Sequence, residues 1–251
     1  MPRPTDQDLN LDDIQGDVLE GLQKNAEFFI FLKIVDVGRF KHLLRREIVG
    51  RLTSARQVHQ RELTVERRRG PQDRARDRWA GWNLAFSRHG LTRLLGADRP
   101  RLDPAFERGA DHPETIAALN DPPVARWLAG FLSDRIDGLF LIAGPDPGSV
   151  ERQRQELLGI LGTSIKVVYS EMGRVRPGAQ RGCEHFGFRD GISQPGIRGL
   201  TRRSRPLVGP DEGLPGQDLI WPGEFVFGYP GQDPRARGKP GPIAAPPAPW
   251  A

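Results

Sequence analysis

The first strong apolar run of the chain is Phe28-Phe29-Ile30-Phe31-Leu32-Lys33-Ile34-Val35-Asp36-Val37, rich in β-branched and aromatic residues. Such a run predicts a buried central strand, ended by Gly38. Phe40, Leu43, Leu44 and Ile48 then recur at helical spacing and predict a helix to about Gly50. The Arg-rich stretch 56–78 has little periodicity and reads as a loop. Trp82, Leu84 and Phe86 alternate with Asn83, Ala85 and Ser87, the pattern of a half-buried strand. Ser87 can cap a short helix carrying Leu91, Leu94 and Leu95, which Gly96 closes. Two short helices are expected between 100 and 137, one after Asp103-Pro104 and one around Val124 to Leu132. Gly138 to Gly144 is a third strand. Ser149 is placed to cap a helix through Leu157, Leu158 and Leu161 that stops at Gly162. Ser164 to Glu171 supplies a fourth strand.

The order strand, helix, strand, insertion, strand, helix, strand is that of a ferredoxin-like split βαβ unit. It predicts an α+β fold, an antiparallel sheet with helices on one face. This domain is expected over 1–172, with a helical insertion at about 88–137. The character changes over 173–251. From Pro206 onward proline and glycine are too dense for helices, and only Phe225 to Tyr229 looks strand-like. The last stretch, Gly238 to Trp250, resembles a Pro-rich linker at the entrance to another domain.

Composition narrows the function. The 251 residues can bury a real core. Cys183 is the only cysteine, so a disulfide framework and a cysteine-only zinc site are excluded. No apolar run reaches the roughly 20 residues of a membrane span, and the start of the chain lacks a signal-type apolar segment, which predicts a cytoplasmic protein. The 37 Lys and Arg are nearly matched by 32 Asp and Glu. The densest basic stretch, Arg67-Arg68-Arg69 with Arg74, Arg76 and Arg78, is interleaved with Glu66, Asp73 and Asp77. It reads as a solvated, salt-bridged loop and not as a nucleic-acid surface.

The chemistry concentrates in Cys183-Glu184-His185-Phe186-Gly187-Phe188-Arg189-Asp190-Gly191-Ile192-Ser193-Gln194-Pro195. Asp190-Gly191 on its own reads as a turn, Gly191 being free to take φ > 0. Gly187 and Gly191 also allow a backbone to approach a flat ligand closely. No phosphate-loop or dinucleotide glycine pattern is present. His185 reads as a structural histidine beside Glu184. His42, His59, His89 and His112 have no ligand spacing and read as surface or local bonding groups. Trp82, Trp127 and Trp221 read as core residues.

Gly187-Phe188-Arg189-Asp190-Gly191 resembles the GxxDG motif of the dye-decolorising peroxidases. Ile14-Gln15-Gly16 resembles the family's opening segment, Trp82 to Gly90 its second strand and turn, and Pro222 to Tyr229 its PGEF-x-x-GY segment. The resemblance runs over about 11–230. It implies two ferredoxin-like domains, of which this would be the first, and a haem b cofactor held mainly by the second. It implies hydrogen peroxide and an aromatic reductant as substrates, with Asp190 as the distal acid–base residue. Gly187, Asp190, Gly191, Ile192 and Ser193 would line the haem, and a homo-oligomer is possible. The resemblance places the iron-binding histidine and the distal arginine beyond the motif. No histidine follows Asp190 in this sequence, so no metal ligand is assigned. Arg189 fills a variable position of the motif and is expected to pair structurally. A non-catalytic domain that binds no haem is the alternative expectation.

Overall fold

A computed structural model describes residues 9–22, 25–67, 79–96, 99, 102–127, 136–189, 194–201, 213, 217–229 and 231. They belong to two compact units, one of Leu22–Thr53 with Gln57–Arg174, the other of Met1–Gly21, Ser54–Arg56 and Val175–Ala251.

The first unit is built on a four-stranded antiparallel sheet. Its strands are β1 (Ala26–Ile34), β2 (Gly81–Phe86), β3 (Gly138–Gly144) and β4 (Ile165–Arg174), in the order β2-β3-β1-β4. That order is the one two interleaved βαβ crossovers produce, each crossover skipping over the strand between. Along β1 the side chains of Ile30, Leu32 and Ile34 face one way and are fully buried. They meet Phe140, Ile142, Trp82 and Leu84 from the neighbouring strands. Over this face lie Phe40 of helix α1 (Val37–Leu43), Leu94 of α3 (Arg88–Leu95), and Val150, Leu157 and Leu161 of α6 (Pro147–Leu161). Trp82 keeps its one polar atom satisfied inside this core, its Nε1 donating to Gln153 Oε1 at 2.8 Å.

On the opposite face Phe29, Phe31, Leu139 and Leu141 are half-buried. Part of that face is closed by Val58 of α2 (Ala55–Arg67), which clusters with Ala143 and Leu22 and packs against Leu141 and Trp79. Thus α2 is a helix where the sequence reads as a loop. Of its described side chains only Ala55 and Val58 are buried, so it lacks the apolar stripe by which a helix is recognised. The remainder of the Arg-rich stretch, 68–78, lies outside the described residues.

The helix starts follow local chemistry, with some differences from expectation. Strand β1 ends at Ile34, and α1 begins at Val37 because Asp36 caps it, accepting from Arg39 N–H at 2.9 Å. After α1 the chain continues as a π-turn, Leu44–Ile48, and a short 3₁₀ turn, Val49–Arg51. Ser87 caps α3 as expected and Gly96 ends it. Within the insertion, Asp103 caps α4 (Pro104–Arg108), and an unforeseen α5 (Pro113–Leu119) is capped by His112 Nδ1. Val124–Arg126 is a 3₁₀ turn, and residues 128–132 of the expected helix lie outside the described ones. Asp146, not Ser149, caps α6: its carboxylate accepts from both the N–H and the hydroxyl of Ser149, which hold that carboxyl below its usual range. Trp127 and Trp221 are half-buried and not core residues.

Candidate functional site

The second unit gathers segments that are far apart in sequence. Leu9, Leu11 and Ile14 cluster with Ala55, Ile197 and Leu200, and Phe225, Val226 and Tyr229 pack against them. The Tyr229 hydroxyl accepts from Asn10 N–H at 3.0 Å. The opening segment, the residues after the motif and the Pro222–Tyr229 segment therefore share one small core. Phe225 to Tyr229 is turn structure and not a strand, following the 3₁₀ turn Pro222–Glu224. The strand pairing lies earlier, between β5 (Gly196–Ile197) and β6 (Leu219–Ile220), which run parallel.

The motif's leading half folds as a minute hairpin. Cys183 and Arg189 form an antiparallel bridge. Glu184 N–H donates to Phe188 O at 2.9 Å, and Gly187 N–H donates back to Glu184 O at 3.1 Å. This is a three-residue hairpin loop whose last position must be left-handed, and Gly187 takes it with φ +100°. The Glu184 carboxylate sits inside the turn, where Oε2 accepts from Phe186 N–H and Oε1 from Phe188 N–H, both at 2.7 Å. From outside, Arg176 Nη1 donates to Glu184 O at 2.9 Å.

Asp190, Gly191, Ile192 and Ser193 lie outside the described residues. They are bracketed by the hairpin, which ends at Arg189, and by residues pinned after the motif. Gln194 O accepts from Gln217 Nε2 at 2.9 Å, and Gly196 N–H donates to Asp218 O at 2.8 Å. Gly187, the one cofactor-binding candidate that is described, sits at the hairpin tip. His185 and Arg189 are exposed. In the sequence Glu184 stands only as a neighbour of His185, because side-chain bonds to a turn's own N–H groups depend on the turn's geometry.

The tip has the surface a flat apolar ligand requires. Phe186 is 90% exposed and Phe188 75%. Leaving a phenylalanine in water forgoes roughly 1.5–3 kcal/mol of burial each, and two adjacent ones mark a surface suited to being covered. A Cβ built on Gly187 would meet nothing within 4 Å, so one side of the tip is open. These residues fit a planar macrocycle laid against them. Among the described residues no group of three or more His, Cys, Asp or Glu is arranged to hold a bare metal ion.

A βαββαβ sheet of order β2-β3-β1-β4 defines an α+β domain of the ferredoxin-like type. Residues 13–177 match the family of the DyP dimeric alpha+beta barrel domain, and the chain belongs to the dye-decolorising peroxidase family. Dye-decolorizing peroxidase msp1 of Mycetinis scorodonius is 38% identical over 220 residues, which are 88% of this chain and 39% of that protein. The multifunctional dye peroxidase DyP2 of Amycolatopsis sp. (strain ATCC 39116 / 75iv2) is 29% identical over 186 residues, 74% of this chain and 38% of that protein. Among solved structures, an ancestral D-type dye decolorizing peroxidase superposes with a TM-score of 0.72 at 33% identity, covering 89% of this chain and 45% of that one. A dye-decolorizing peroxidase in complex with 2,6-dimethoxyphenol gives 0.68 at 30% identity, covering 93% and 46%. The chain thus spans about two fifths of the length of the curated relatives it matches.

Proposed function

We propose that the protein acts as a haem-dependent peroxidase of the dye-decolorising type, using hydrogen peroxide to oxidise dyes or phenolic compounds. The observation that carries this is the hairpin Cys183–Arg189, which presents two exposed phenylalanines and an open glycine directly ahead of Asp190. The phenol bound to one related structure supports an aromatic reductant.

In this reading haem b, when bound, would supply the two electrons that cleave the peroxide O–O bond. Gly187, Asp190, Gly191, Ile192 and Ser193 would hold it, with Phe186 and Phe188 as apolar flank. The Asp190 carboxylate would take a proton from one oxygen of hydrogen peroxide and return it to the other, so that the protonated oxygen leaves as water. A carboxylate that cycles between its two states at working pH suits this task. The chain's five histidines all precede Asp190, and none is given the role of iron ligand. The division into an N-terminal ferredoxin-like domain and a motif-bearing extension toward a further domain belongs to the same proposal.

The test is steady-state oxidation of 2,6-dimethoxyphenol by the haem-loaded protein that carries these residues. Asp190→Ala is expected to lower kcat by roughly 10²–10⁴-fold while the Soret band stays in place. Unchanged turnover rejects the assignment. The second reading is a non-catalytic domain that binds no haem. Titrating haem into the 251-residue chain tells the two apart, since that reading requires no Soret shift at any ratio.

A further inference from the structure

We propose that Glu184 is a positioning residue for this site, holding the hairpin in one shape before any ligand arrives. The inference rests on the peroxidase reading and deepens it. All of the residue's polar groups are engaged in the same turn. Its carboxylate accepts from Phe186 and Phe188 N–H, its own N–H donates to Phe188 O, and its carbonyl accepts from Gly187 N–H and from Arg176.

The two amides held by the carboxylate belong to residues whose side chains stand in water. Water could satisfy those donors, so the carboxylate is not needed to spare a buried group. What it adds is a single conformation for the backbone that carries Phe186, Gly187 and Phe188. The ordering cost of the turn is then met on folding and not on binding. The bridge of Cys183 to Arg189 closes the same turn. Chemistry favours glutamate here. Two diverging N–H donors need two acceptor oxygens and no donor, which glutamine cannot offer, while aspartate keeps both acceptors but reaches one methylene less far.

Amide hydrogen exchange on the whole chain tests this without haem. The Phe186 and Phe188 amides are expected to exchange slowly for residues so exposed. In Glu184→Ala both should speed up by roughly 10- to 100-fold, and in Glu184→Gln one of them, since each is a charge-assisted bond. The amides of β1 and β3 should be unchanged, which shows the fold intact. In the haem-loaded protein Glu184→Gln should lower kcat for peroxide turnover with the KM for 2,6-dimethoxyphenol unaltered, and Glu184→Asp should restore part of the loss. Equal exchange of both amides in wild type and Glu184→Ala overturns the proposal. So does an unchanged kcat in a variant whose amides have lost protection. If instead Asp190→Ala itself leaves turnover intact, the peroxidase reading fails, and amide exchange alone decides whether the glutamate clamp exists.

Discussion

Gly90 lies in the first turn of α3 with the backbone of Asp137 pressed against it: a Cβ built there would sit 1.8 Å from the Asp137 carbonyl oxygen. Backbone cannot yield as a side chain tip can. Gly90→Ala should therefore destabilise the protein by about 1–3 kcal/mol or more, read as a lowered Tm with a loss of cooperativity. Gly159, inside α6, has nothing within 4 Å of the same position, and Gly159→Ala should stabilise by about 0.5–1 kcal/mol. Sequence does not separate these two helical glycines, because the difference is made by Asp137, just ahead of β3 and more than 40 residues away, for Gly90 and by open space for Gly159. Asp137 itself is buried, and its Oδ2 accepts from Ile34 N–H at 2.8 Å and pairs with Arg93 Nε at 3.0 Å. Asp137→Ala leaves the end of β1 with an unmet buried donor, for an expected loss of about 1–3 kcal/mol in chemical denaturation.

At the scale of elements, the caps decide where helices begin. Ser87 and Asp103 were legible because each precedes its helix with the right residue type. The start of α6 was misplaced by three residues because Asp146-Pro147 competes with Ser149. The pair of a capping carboxylate and proline in the first turn wins, and the serine hydroxyl becomes a donor to it. Helix α5 had no apolar stripe to announce it, as its residues are half-buried or exposed. The insertion that carries α4 is tied by Arg99, whose guanidinium donates through both terminal nitrogens to Glu107 at 2.8 and 2.6 Å. That bond, with Leu102 N–H as the second cause, holds the Glu107 carboxyl down from 4.5 to about 2. A carboxyl depressed on folding stabilises above its unfolded value and loses that contribution as pH falls through the folded one. Local order around α4 should thus persist at pH 4.5 and fade as pH approaches 2, followed by the Glu107 side-chain resonance. Glu107→Gln should remove this dependence; a Glu107 titrating in the ordinary range contradicts it.

For the molecule as a whole, the βαββαβ order could be read from apolar runs alone, because each strand of the sheet is bounded by turn residues or caps. The sheet order follows from that connectivity. The gathering of Leu11, Ile14, Ile197, Phe225 and Tyr229 into one core could not be read from spacing, as it joins residues up to 218 positions apart. The motif was visible as composition, whereas its hairpin geometry depends on Gly187 and on a glutamate bonding its own turn. In the proposed function both features serve one task, the presentation of the segment that follows Arg189 to a flat apolar ligand. The most direct measurement is the stopped-flow rate at which hydrogen peroxide changes the Soret band of the haem-loaded protein, wild type against Asp190→Asn. An aspartate that moves the peroxide proton requires the second-order rate to fall by roughly 10²–10⁴-fold in the variant. Equal rates in the two proteins would contradict it.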